Sequence, residues 1–198
     1  MRKALFAIIA AISLSGAGQA QAPQGPQRVE GTVSAVSDTS VTIATANGPQ
    51  TVALLPNRVI NVTEPVAVDR IVPGSYVATA NRTQPDGTGV STELRVYPPG
   101  SPAFNVNRAM DASGQLIMTN GTVATAVSTD GGRVLTVDYG SGKRQIRVPP
   151  EVQVVLNSPG DPAMVRVGTK LSLATLTPAP GQPSLQIITI ARADLPSQ

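Results

Sequence analysis

Beyond residue 26 the apolar positions come in short runs that alternate with polar ones, and no stretch keeps a helical period for long. "VTIAT" at 41–45 sets Val41 and Ile43 on one face of an extended chain and Thr42 on the other. "RQIRV" at 144–148 repeats the pattern, with Ile146 and Val148 opposed to Gln145 and Arg147. Between such runs lie "ANGPQ" (46–50), "PDGTG" (85–89), "TDGG" (129–132) and "GSG" (140–142). Gly, Asn and Asp in these clusters favour tight reversals. Short β-branched runs at spacings of about 8 to 12 residues predict an all-β chain closed into a barrel or sandwich.

The runs also recur in order. "GTVSAVS", "VTIA", "QTVALLP", "VDRIVPGSYV" and "STELRVY" in the first half match "GTVATAVS", "VLTV", "RQIRVPP", "AMVRVGTKL" and "SLQIITI" in the second. The offset drifts from 90 positions at Gly31/Gly121 to 94 at Gly74/Gly168, as small loop insertions produce. Three strands, a turn-like segment ending in Gly, then two strands match the order of an OB-like barrel. The reading is therefore two tandem five-stranded OB-like small β-barrels related by internal repeat, each with one short helical turn before its fourth strand. The modules run 28–97 and 119–193. Segment 98–118 joins them as a partly ordered linker, and 194–198 forms a tail. Phe104, Met110, Leu116, Ile117 and Met118 make the linker too apolar for a free tether, so it is expected to pack on a barrel. The copies should differ at their first strand. Val123 and Val127, four apart, share a strand face, whereas Val33 and Val36, three apart, do not unless a bulge intervenes.

The N-terminus changes the meaning of the charge. Arg2 and Lys3 precede the apolar run Ala4–Leu14, and Gly18 and Ala20 follow at the positions a signal peptidase reads. This predicts a signal peptide over 1–20, cut after Ala20 or, less favourably, Ala22, with 21–27 as a disordered start. The run falls short of the roughly 20 apolar residues that span a bilayer. Losing Arg2 and Lys3 lowers the formal charge from +3 to +1, which weakens any argument for a polyanionic partner. The expected location is periplasmic or secreted, with no transmembrane segment in the mature chain.

Composition narrows the chemistry further. The chain has no Cys and no His, which removes disulfides, thiol catalysis, His-based triads and the usual ligands of zinc, copper and iron–sulfur sites. The expectation is a non-enzyme without cofactor or metal centre. Lys143, Arg144 and Arg147 offer an anion-binding cluster, although in a strand Lys143 and Arg147 face one way and Arg144 the other. The plainer reading is a solvated hairpin whose charges oppose edge aggregation. Asp86, Asp130 and Asp161 each adjoin Gly or Pro, which is turn chemistry first and Ca²⁺ chemistry second. A Ser–Lys pair would need Lys143 or Lys170, and a carboxylate pair has no favoured members. Nucleic acid is excluded as a partner, since stacking aromatics and a basic groove are both scarce. Tyr76, Tyr97 and Tyr139 remain as aromatic anchors for a partner, or as core residues.

"PGSYV" (73–77), "MTNGTV" (118–123) and "VPP" after "KRQIR" resemble a group of exported bacterial proteins. These are built from small β-barrel modules of a domain-of-unknown-function family, some members of which are labelled metal ABC transporter permease. The resemblance spans roughly Val29 to Arg192 and implies the barrel fold, but its motifs carry no catalytic residue. The functional expectation is an exported barrel protein that binds a protein or cell-envelope component. The alternative is weak binding of a small ligand or divalent cation through oxygen ligands.

Overall fold

The computed structural model describes residues 27–177 and 183–195. The leader 1–20 and residues 21–26 of the expected disordered start lie outside the described residues, as do 196–198 of the tail. Gln27 already belongs to a strand. The described chain is all-β. Its strands are β1 (Gln27–Val36), β2 (Ser40–Thr45), β3 (Gly48–Pro65), β4 (Tyr76–Thr83), β5 (Gly89–Val96) and β6 (Val106–Ala109). They continue with β7 (Leu116–Thr129), β8 (Gly132–Asp138), β9 (Lys143–Val148), β10 (Val154–Pro159), β11 (Lys170–Thr177) and β12 (Ser184–Ala191). All four turn clusters named from the sequence fall at chain reversals, between β2 and β3, β4 and β5, β7 and β8, and β8 and β9. The two helical turns expected before a fourth strand are 3-10 turns, Val68–Arg70 ahead of β4 and Pro162–Met164 ahead of β11.

Strand pairing departs from a tandem arrangement. β1 pairs with β2 and β11, β2 with β3, and β11 with β12, all antiparallel. β12 then meets β3 in parallel, Ile188 beside Ile60 and Ile190 beside Val62. This closes one mixed five-stranded barrel drawn from both ends of the chain, and the other seven strands lie outside it. β4 and β5 do not join β1–β3, because β4 pairs with β7 from Tyr76↔Thr122 to Arg82↔Leu116. β10 bridges the two regions, antiparallel to β3 and parallel to β5. Beyond β5 the order runs β4, β7, β8, β9, and β5 touches β9 in parallel at Gly89↔Ile146 and Val90↔Arg147. The reason is generic. An alternating strand hides its apolar face equally well against any partner of matching length, so alternation does not select the partner.

Two aliphatic cores result. Val33, Val41, Ile43, Ile60, Leu171, Leu185, Ile188 and Ile190 fill the barrel, with Val165 closing it from the end of a 3-10 turn. Val77, Leu94, Val123, Leu135, Val137, Ile146 and Val148 form the second cluster, where Ile71 plays the corresponding part. Neither cluster contains an aromatic ring. Each fully buried Val, Leu or Ile contributes about 1.5–3 kcal/mol, so these interiors suffice without one.

The turns ahead of β4 and β11 dock in the same way. Gly74 and Gly168 both adopt φ +89°, a conformation open to glycine and costly for other residues. The Gly74 amide donates to the Val123 carbonyl (2.8 Å), and the Gly168 amide to that of Val33 (2.9 Å). The valines donate back, Val123 to the Ser75 carbonyl and Val33 to that of Thr169. Gly31 and Gly121 lie where neighbouring strands come so close that a Cβ would collide with the carbonyl oxygens of Ala44 and Asp138.

The expected difference at the first strands is overturned. The register of β1 against β2 slips between Val33 and Ala35, and that of β7 against β8 slips between Val123 and Thr125. Both strands therefore carry the irregularity. It turns Val127 out to solvent, 56% exposed, while Val123 is 1% exposed, so the two do not share a face. In β1 the slip sets Val33 opposite Ile43 and Val36 opposite Val41, so these two share a face, although Val36 at the strand's end is 41% exposed.

The linker is structured in part. β6 pairs with β7 from Val106↔Asn120 to Ala109↔Ile117, and β7 begins at Leu116, inside the segment read as linker. Phe104 is not buried by this packing and stands 72% exposed.

Candidate functional site

Tyr76 opens β4 and Tyr97 directly follows β5, so the antiparallel pairing of these strands sets the two side by side. The Tyr97 amide donates to the Tyr76 carbonyl at 3.0 Å. Their rings lie 5.5 Å apart between centroids, tilted by 58°. Pro73, Pro98, Pro99 and Leu156 of β10 line with them a groove of about 530 Å³. Arg70, from the 3-10 turn Val68–Arg70, is the one charged residue lining it. Val72, 50% exposed, also lines the groove. Phe104 adjoins it, since its amide donates to the Tyr76 hydroxyl at 2.6 Å.

Burial pushes the Tyr76 phenol above its ordinary value, against the opposing effect of the Phe104 amide. Burial does the same at Tyr97, where the Arg95 guanidinium and a hydrogen bond from Asn157 pull the other way. Both phenols therefore remain neutral well above neutral pH. The groove is lined by two tyrosines, three prolines and a single cation, Arg70.

The basic cluster on β9 does not converge. Lys143 is exposed, its ammonium 3.8 Å from the Asp138 carboxylate. Arg147 is also exposed and borders a separate open cleft with Gln145, Gln84 and Asp86. Arg144 points inward, on the same face as Ile146 and Val148. Its Nε donates to the Asn81 side chain (3.0 Å), and its Nη2 to the Thr83 hydroxyl (2.9 Å) and the Thr88 carbonyl (3.3 Å). Asn81, fully buried, passes the network on to the Thr119 hydroxyl, which donates to Asn107 of β6. This guanidinium is engaged by neutral acceptors inside the second core region.

Tyr139 lies apart from the other tyrosines, in the turn between β8 and β9, with its hydroxyl against Gly142. Asp86 accepts from the hydroxyl and amide of Thr88, which hold its carboxyl below the ordinary value. Asp161 caps the turn Pro162–Met164 through the Ala163 amide at 2.7 Å. Asp130 sits in the β7–β8 turn, and Lys170 lies 3.9 Å from Asp194. Among the described residues no three Asp or Glu gather as metal ligands would, and no helix is long and apolar enough to cross a membrane.

Of the residues chosen from sequence, Tyr76 and Tyr97 come together, while Tyr139, Lys143, Arg144 and Arg147 scatter. The groove's prolines, Arg70 and Leu156 were not singled out beforehand. A signal was present, because "VPGSY" and "YPPGS" place proline and serine around each tyrosine. Comparison with protein-family models, curated proteins and solved structures finds no match to this chain.

Proposed function

We propose that this chain is an exported, non-enzymatic binding protein of the periplasm or cell exterior, built from a duplicated barrel, that holds a protein or envelope component in the Tyr76–Tyr97 groove. The observation that carries this reading is the groove itself. It gathers two of the three tyrosines and three prolines on one open surface, with Val72 and Phe104 exposed beside it. Contiguous exposed apolar surface of this kind marks interaction sites.

The duplication is supported by strand geometry at the 94-position offset. Thr63 and Asn157 are equivalent by that offset, and they pair with each other across the antiparallel β3–β10 contact. The parallel pairs Ile60↔Ile188 and Val62↔Ile190 have counterparts in Val154↔Leu94 and Leu156↔Val96. On this reading the second barrel consists of β7, β8 and β9 closed by β4 and β5, and each half of the chain lends its last two strands to the other. The resemblance to exported small-barrel proteins fits the same picture.

The groove is not duplicated. Lys170 and Ala191 stand where Tyr76 and Tyr97 would recur. Binding is therefore asymmetric. A photo-crosslinking residue placed at Val72 should capture one defined partner from the exported fraction of living cells, and the same residue at Val127, also exposed, should not. Equal labelling from both positions, or none from Val72 across several growth conditions, would reject the groove as the binding surface.

A further inference from the structure

We propose that the groove's occupant is a proline-containing segment of a protein in polyproline II conformation, with an acidic residue within about one turn of its prolines. This rests on the groove being the binding surface and goes on to name the chemistry it selects.

Four observations lead there. First, no strand edge is free at the groove, because β4 lies between β5 and β7, and β5 between β4 and β10. A partner cannot add as another strand and must lie across side chains. Polyproline II suits this, since it has no internal hydrogen bonds and needs no ladder. Second, two of the hydroxyls in the lining are already engaged within the protein. The Tyr76 hydroxyl accepts from the Phe104 amide, and the Ser75 hydroxyl accepts from the Val72 amide. A sugar would have to compete with those contacts, whereas pyrrolidine rings can pack on Tyr76 and Tyr97 without disturbing them.

Third, the dimensions agree. One turn of polyproline II covers about 9 Å, and a few of its residues occupy a groove of about 530 Å³. Such a segment is stiff beforehand and loses little conformational freedom on binding. Fourth, Arg70 takes part in none of the ion pairs found among the described residues, and no carboxylate lines the groove. Asp69 precedes Arg70 on the same turn but does not line the groove, so within the groove the guanidinium favours an acid beside the prolines.

The test is a titration of the intact protein, read on the ring signals of Tyr76 and Tyr97 by NMR, with three synthetic octapeptides. One is a proline peptide with a single glutamate, one carries lysine instead, and one is a Gly/Ser peptide with the same glutamate. The first should shift both tyrosines in the micromolar to millimolar range, and the lysine version should bind roughly two- to fivefold more weakly. The Gly/Ser peptide should leave the rings unmoved. Tyr97→Ala should abolish the shifts. Arg70→Glu, on an exposed turn, keeps the fold and should reverse the preference between glutamate and lysine. Equal binding of the Gly/Ser peptide, or an unchanged preference in Arg70→Glu, overturns the inference. If crosslinking at Val72 captures a partner while no proline peptide moves the rings, the groove stands and the polyproline assignment falls. If both experiments fail, both readings fall.

Discussion

A guanidinium turned toward the inside of a sheet is costly unless its donors are matched, and Arg144 is matched by Asn81, Thr83 and Thr88 without any carboxylate. Arg144→Met removes the donor facing the buried Asn81 oxygen and should destabilise the protein by about 1.5–3 kcal/mol in urea melts. Lys143→Met and Arg147→Met, at exposed positions, should each stay within about 0.5 kcal/mol. Equal losses from all three would return the cluster to a shared role. Alternation along β9 already separates Arg144 from its neighbours. It also puts Arg144 on the apolar face with Ile146 and Val148, but it does not give the neutral partners on β4 and the following turn that receive the guanidinium.

β6 shows what pattern reading misses at the level of an element. Its four residues, Val106 to Ala109, are too few and too polar to register as a strand, and pairing with β7 is what makes them one. The β6–β7 hairpin is pinned by Asp111, which accepts from the amides of Gln115 (3.1 Å) and Leu116 (3.3 Å) and from the Ser113 hydroxyl (2.9 Å). Desolvation acts to raise the Asp111 carboxyl, but those hydrogen bonds outweigh it and hold the group below its ordinary value. A depressed carboxyl stabilises the fold above the unfolded-state value and loses that contribution as pH falls through the folded one. Asp111→Ala should accordingly speed amide exchange in β6 at neutral pH. The gap between variant and parent should close in acid, below about pH 4. A gap that persisted unchanged into acid would mean that Asp111 acts through something other than its charge.

At the scale of the whole molecule, six ladders tie the first half of the chain to the second: β1 to β11, β3 to β10 and β4 to β7 antiparallel, and β3 to β12, β5 to β10 and β5 to β9 parallel. A protease site inserted between Gly100 and Ala103 lies in the exposed stretch that joins the halves. After cutting, the two fragments should still elute together by size exclusion and separate only in denaturant. Fragments that part on dilution into buffer would mean that each half closes on itself, as tandem modules would. The ladders that cross from one half to the other make the first outcome the expected one.

Strands, reversals and the aliphatic make-up of the interior were legible in the sequence because they depend on neighbours a few positions apart. The alternation of Val41 and Ile43, or of Ile146 and Val148, survives intact in the burial of β2 and β9. The missing His and Cys bounded the chemistry with no reference to shape. The partner of each strand depended on contacts as distant as Gln27 with Leu176, and a period of two residues carries no address for them. The groove belongs to the same class, because Tyr76 and Tyr97 meet only where the start of β4 lies beside the end of β5, and Leu156 of β10 joins them in its lining. Local chemistry determined what each segment of this chain could become. Tertiary structure alone decided which ones closed the barrel and which tyrosines met in the lining of a groove, since only packing compares all the segments at once.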